Sequence, residues 1–376
     1  MIMKRLEKAK VLLEDGYKIV NLEIEDGRFT KIEECKDVKN EKQDKLILPG
    51  FFDIHTHGAN GKDFTTVNSI EEIETILSFY EAHGVTSVFP TLLTEHDELI
   101  FKQLELIYLA SLKHKIIKGI HLEGPFLSKK YKGAQLEECL QLPSIKKCDE
   151  FIKHSHGLFS YMTLAPELEG TEEVIEYLTS KGIKVALGHS DASFDDVRKA
   201  REKGSKCSTH LFNAMKPLNH HDPSIVMAAL YYKDMYAELI LDGAHLHKEV
   251  VEFTRSIKEN DKIIGITDSL MCAGLPDGEY KIGNTPIIVK GKDALIKGTS
   301  TRAGSTLNML EAFKNIKEFS HLDDLEASKI CSLNAARMLN MDSKIGSIKE
   351  GKNADFIVLD NDYNLKETYI NGEKVY

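Results

Sequence analysis

His55 and His57 stand two residues apart in Asp53-Ile54-His55-Thr56-His57-Gly58, at the end of an apolar run. Residues two apart on a strand share a face, so both imidazoles project from one side of a strand end. Neutral imidazole is a good ligand for zinc, iron and related divalent ions. Other short apolar runs end in similar chemistry: Glu123-Gly124-Pro125, Gly188-His189-Ser190-Asp191, His210 followed by Asn213-Ala214-Met215, Asp242-Gly243-Ala244-His245, and Asp268. A lone histidine there is usually a hydrogen-bonded core residue, and a lone carboxylate usually caps the next helix. Four histidines, a glutamate and an aspartate gathered on one rim read as a metal site. Imidazole and carboxylate without thiolate suit a hydrolytic ion rather than a closed structural one. The set is large enough for one or two divalent ions, with a carboxylate between them. A bound ion brings the pKa of its water towards ~7. Asp268 is the expected general base, taking the proton of that water and returning it to a leaving amine.

One shared rim requires an architecture that brings distant strand ends together. Short β-rich runs at 46–54, 86–89, 116–122, 158–164, 184–187, 206–209, 237–241 and 263–267 are mostly separated by helical patterns such as 70–83, 97–113, 171–181, 195–203 and 248–258. Strand–helix alternation implies a parallel sheet. Eight repeats predict an α/β fold, a (β/α)8 TIM-like barrel with its chemistry at the C-terminal strand ends. Both chain ends read as strands and hairpins, with turns at Glu25-Asp26-Gly27 and Asn371-Gly372. The expected division is a small β-sandwich from residues 1–48 and 347–376, and a barrel over 49–346. Residues 36–45 read as a polar surface loop, and 328–339 as a late helix.

The 376 residues suffice for such a barrel with an attachment. A net charge of −10 argues against nucleic acid as a partner, while leaving room for one small anionic substrate. Six scattered cysteines with no CxxC pair fit a reduced, cytoplasmic setting. Residues 1–10 are charged and lack the apolar core of a signal peptide. No apolar run approaches the ~20 residues of a membrane helix, so no membrane partner is expected.

HTHG after PGFFD, then HLEGPF, GHSDAS, THLFNAM, LDGAHLH, ITDSLMCAGLPDGEY and AGSTLNM occur in this order. Together they resemble the N-acetylglucosamine-6-phosphate deacetylase family of the amidohydrolase superfamily. The resemblance implies a distorted barrel with a β-sandwich built from both termini, and a homodimer. It implies Glu123, His189 and His210 as principal metal ligands, and His55 and His57 as places for a second ion bridged by Glu123. Zinc or iron would serve. It implies Asp268 as the catalytic aspartate, also touching metal, His245 as a sugar-hydroxyl contact, and the Asn213-Ala214 backbone as part of a phosphate cradle. The implied reaction hydrolyses an N-acetyl amide to acetate and an amino-sugar phosphate.

The sequence departs from that pattern at two substrate-binding positions. Gln135 stands where the family usually has a histidine; it can donate a hydrogen bond but carries no charge. His221 stands where the family usually has an arginine that reaches the neighbouring subunit's phosphate, and it lacks the guanidinium fork. These changes keep open a different N-acetylhexosamine, such as the galactosamine-6-phosphate epimer, or a catalytically weak sugar-binding homologue. A cyclic amidase such as a dihydroorotase would need a carboxylated lysine on the fourth strand, and residues 158–167 contain no lysine.

Overall fold

A computed structural model of the chain describes residues 4–35, 44–283 and 285–376. Eight strands form one parallel sheet in sequence order. They are β1 (Phe51–Thr56), β2 (Val85–Leu92), β3 (Ile120–Glu123), β4 (Phe159–Leu164), β5 (Lys184–Leu187), β6 (Cys207–Ser208), β7 (Tyr236–Ile240) and β8 (Ile263–Ile266). The sheet curls into the expected barrel, and β1 meets β8 across a seam. Asp53 fastens that seam: Thr267 donates through Oγ1 to Asp53 Oδ2 at 2.5 Å and through its backbone N–H to Oδ1 at 3.3 Å. The Asp268 N–H donates to the His55 carbonyl at 2.9 Å, and the His57 N–H to the Ser269 carbonyl at 2.8 Å. The candidate site residues His55, His57 and Asp268 are therefore themselves part of the closure.

Helices cover the outside, including Ile70–Glu81, Asp97–Lys113, Thr171–Ser180, Phe194–Glu202 and Lys248–Ile257. Ser69 and Ser193 accept backbone N–H bonds at two of their starts, and Asp196 returns the bond to Ser193. These caps satisfy amide groups that a helix cannot satisfy itself. The expected late helix is three pieces: Asp324–Ser328, a π turn over Lys329–Leu333, and Asn334–Met338. The π turn accommodates an extra residue, as such bulges do.

Both chain ends contribute to a seven-stranded sheet, consistent with the expected terminal β-domain. Its order is Glu373–Lys374, Leu365–Ile370, Phe356–Asp360, Lys45–Pro49, Lys4–Leu13, Gly16–Glu25, Arg28–Glu34. Strand alternation gives it two buried faces. Leu46, Leu48, Ile357 and Leu359 pack into the main core, while Ile47, Phe356 and Val358 join Val11, Val20, Leu22 and Phe29 on the other side.

The apolar run 46–54, read as a single strand, is divided between the two sheets. Lys45–Pro49 pairs with the terminal sheet, Phe51–Thr56 with the barrel, and Gly50 turns between them. A Cβ on Gly50 would sit 2.2 Å from the Thr86 side chain, so only glycine lets the chain pass. A further element has no counterpart in the sequence reading: a four-stranded antiparallel sheet of Gly278–Ile282, Thr285–Lys290, Asp293–Ile296 and Arg302–Gly304. The expected loop at 36–45 lies largely outside the described residues. All six cysteines are free thiols. Among the described residues, no helix is long and apolar enough to cross a membrane.

Candidate active site

Glu123 ends β3 and sits at the centre of the rim, with its carboxylate 3% exposed. Its Oε1 lies 3.0 Å from His189 Nε2, 3.1 Å from His210 Nε2 and 3.3 Å from His55 Nε2. Its Oε2 lies 3.4 Å from His57 Nε2. Asp268 closes the ring, with Oδ1 3.0 Å from His57 Nε2 and 3.6 Å from His55 Nε2. The six ligand candidates thus meet at one mouth, although they come from five different strand ends.

Backbone geometry aims three of them. His189 (φ 48°), His210 (φ 26°) and Asp268 (φ 49°) each sit in the left-handed region, two residues past the ends of β5, β6 and β8. Residues with a Cβ seldom adopt this conformation, and it recurs at functional sites. It turns each side chain from the strand direction into the mouth.

Hydrogen bonds behind the rings select their tautomers. His189 Nδ1 lies 2.9 Å from the Tyr131 carbonyl, which can only accept, so its Nε2 carries the lone pair. His55 Nδ1 lies 3.1 Å from Glu238 Oε2, which likewise leaves Nε2 bare. The Nε2 atoms of His189 and His210 face each other at 3.1 Å with Glu123 Oε1 beside both. His55 Nε2 is buried without a hydrogen-bond partner. Converging lone pairs and an orphaned buried nitrogen fit a cation between them. At the mouth, two groups of three have ligand atoms within 4.8 Å of one another: His55, His57 and Asp268, and Glu123, His189 and His210. Burial opposes ionisation of Glu123, yet His55 and His189 hold its carboxyl well below the usual range. Burial likewise opposes ionisation of Asp268, and the neighbouring His57 and His55 outweigh it.

The mouth opens into a cavity of about 480 Å³. Gln135, Asn213, Ala214 and His245 all line it, as do Lys129, Lys130, Lys132 and Arg302. His245 Nδ1 is held by Asp242 Oδ2 at 2.7 Å, which leaves its Nε2 as an acceptor. His221 is exposed on the segment after β6 and does not line this chain's cavity. Gln135 is occupied at both ends of its amide. Nε2 donates to Glu123 Oε2 at 2.6 Å, and Oε1 accepts the Thr94 N–H at 2.7 Å. Gln135→Leu should therefore cost about 1–3 kcal/mol of stability by orphaning the buried Thr94 amide. It should also lower metal affinity by about 10–100-fold through the loosened Glu123. Thermal melting and metal titration of the variant check both.

The sequence reading missed Glu238 and His121. His121 lies two residues before Glu123 on the same face of β3, but Thr91 at 3.2 Å and Thr163 at 2.9 Å occupy its ring nitrogens. Burial and the neighbouring His55 hold it neutral, so it is core beneath the site. Nothing in Lys129-Lys130-Tyr131-Lys132 as a sequence sets these rim cations apart from a solvated basic turn.

The amidohydrolase family pattern matches residues 46–375. The chain belongs to the amidohydrolase family. Among its relatives, N-acetylglucosamine-6-phosphate deacetylase of Bacillus subtilis (strain 168) is 34% identical, over 88% of this chain and 84% of that one. N-acetylgalactosamine-6-phosphate deacetylase of Escherichia coli O157:H7 is 31% identical over 98% of both. Among solved structures, N-acetyl-D-glucosamine-6-phosphate deacetylase of Mycobacterium smegmatis superposes with a TM-score of 0.93, at 27% identity and full coverage of both chains. That structure is of an aspartate-to-alanine variant in complex with N-acetyl-D-glucosamine-6-phosphate. Glu123, the carboxylate shared by the four imidazoles, ends the third strand, and the fourth strand carries no lysine.

Proposed function

We propose that this amidohydrolase removes the acetyl group of N-acetylglucosamine 6-phosphate, giving acetate and glucosamine 6-phosphate. The observation that carries the reading is Glu123, shared by four imidazoles and set beside Asp268, at the floor of a cation-rimmed cavity. His55, His57 and Asp268 would hold one zinc or iron ion, and His189 and His210 a second, with Glu123 between them. Bound there, metal supplies a Lewis acid for the acetyl carbonyl and an acidified water. The chain's own residues supply the rest. Asp268, set beside His57 and Glu123, takes the proton of the attacking water and gives it to the departing nitrogen. One C–N bond breaks, one C–O bond forms, and water provides both the carboxylate oxygen and the amine proton. His245 Nε2 accepts from a sugar hydroxyl. Asn213 and Ala214 present backbone groups towards the phosphate, and His221 of a second subunit in a homodimer completes its surroundings.

Cations on the rim match the phosphate's charge. Lys130 is paired with Asp191 at 2.9 Å and Arg302 with Asp293 at 2.6 Å, and Lys132 donates to the Gln135 carbonyl at 3.3 Å. Lys129 has no anionic partner among the described residues. Substituting Lys129 and Lys132 together by Gln should raise KM for the phosphorylated sugar about tenfold, near 1.4 kcal/mol, with kcat little changed. Steady-state kinetics on phosphorylated and unphosphorylated sugar check this, since the unphosphorylated one should be indifferent to the change.

The test of the activity is acetate release from N-acetylated hexosamines, with and without 6-phosphate, by zinc- or iron(II)-loaded protein. Release from none of them would overturn the proposal. The close coverage of the galactosamine-specific relative supports a second reading, in which the axial 4-hydroxyl epimer is preferred. The same panel ranks the two epimers by kcat/KM.

A further inference from the structure

Glu238 is fully buried in the middle of β7, directly beneath the metal-site histidines. Its Oε2 lies 3.1 Å from His55 Nδ1 and accepts the His210 backbone N–H at 3.1 Å. Its Oε1 accepts the Tyr161 hydroxyl at 2.5 Å. No lysine or arginine pairs with it among the described residues, and His55 is the one imidazole in contact with its carboxylate. His55 is also the one imidazole of the site with a carboxylate at each ring nitrogen, Glu238 behind and Glu123 in front. The edge of His121 packs against the same ring, with centroids 4.6 Å apart and planes at 77°. His121 cannot move aside, because its own nitrogens are held by Thr91 and Thr163.

We infer that Glu238 is a positioning residue that fixes the tautomer and direction of His55, and so determines whether the His55–His57–Asp268 half of the site holds an ion. A carboxylate behind a ligating imidazole forces the proton to the far nitrogen, strengthens the lone pair at the near one and removes ring rotation. The other half depends on it less. His189 takes its orientation from the Tyr131 carbonyl, and Glu238 touches His210 only through the backbone. The inference rests on the metal reading above, not on the identity of the sugar.

The test is metal stoichiometry at buffered free zinc, measured by equilibrium dialysis and plasma emission, so its failure is distinct from a failure to release acetate. Wild-type protein should hold two ions per chain. Glu238→Gln keeps the volume and an acceptor for the backbone amide; it should keep one ion at unchanged affinity and bind the second about 10–100-fold more weakly. Two ions at wild-type affinity in this variant would overturn the inference. So would loss of both ions together with a lowered melting temperature, which is the mark of a packing residue. A second variant guards against misfolding. His55→Asn should also hold one ion, and adding Glu238→Gln to it should change neither stoichiometry nor affinity. A further loss of metal in that double variant would show that Glu238 acts other than through His55.

Discussion

Asp268→Asn should slow acetate release by about 10³-fold or more while leaving the fold intact, since a positioned general acid–base group contributes roughly 10²–10⁴-fold. Asparagine has the same shape and is among the residues that best tolerate the left-handed backbone found here. The backbone bonds that make this residue part of the barrel seam, from Asp268 N–H to the His55 carbonyl and from Ser305 N–H to the Asp268 carbonyl, are untouched. What changes is that the side chain can no longer take a proton from water, and that it offers a neutral oxygen to the ion proposed between His55, His57 and Asp268. The loss should fall on kcat, with KM nearly unchanged, because substrate is held by the rim and not by this oxygen. A variant within tenfold of wild type, with normal circular dichroism, would remove Asp268 from the reaction.

Glu123→Ala should abolish metal binding in both halves of the site and reduce acetate release by on the order of 10⁴-fold. Several kcal/mol of metal-derived stabilisation vanish at once, at 1.36 kcal/mol per factor of ten. The argument is geometric: one carboxylate lies within 3.4 Å of four imidazole nitrogens, so no other single truncation reaches both ligand groups. Its removal also leaves four buried rings without their common anion. The metal-free variant should therefore melt below metal-free wild type. Plasma emission on dialysed protein checks the first outcome and calorimetry the second. Retention of one ion per chain would show that the two halves are built independently.

The barrel was readable because eight apolar runs alternate with helical ones, and because each run that ends in a histidine or acid advertises its C-terminal end. The rim residues were readable from type and position together: His55, His57, Glu123, His189, His210 and Asp268 all follow or finish an apolar stretch. What stayed hidden has physical reasons. Glu238 interrupts an apolar strand, and a single acid there looks like an exposed position on a half-solvated sheet. His121 and Glu123 occupy equivalent faces of one strand, and only the two threonines near His121 tell core from ligand. The four-stranded sheet over 278–304 did leave a trace, the β-branched run Ile287-Ile288-Val289 just before the turn at Gly291-Lys292. A barrel count that was already complete left that trace without a place. The split at Gly50 was invisible because apolar residues continue on both sides while the pairing partner changes.

The three left-handed ligand candidates, His189, His210 and Asp268, have a consequence for how such a chain drifts. Each costs roughly 1–2 kcal/mol relative to a residue free to adopt that backbone, against a total stability of only about 5–15 kcal/mol. Glycine at His189 or His210 would relax that backbone, but it would leave a cavity and take a partner from the buried Glu123, so the loss offsets the gain. Heat tolerance alone therefore gives such a chain little reason to keep these bends or to abandon them, and turnover is the property that decides.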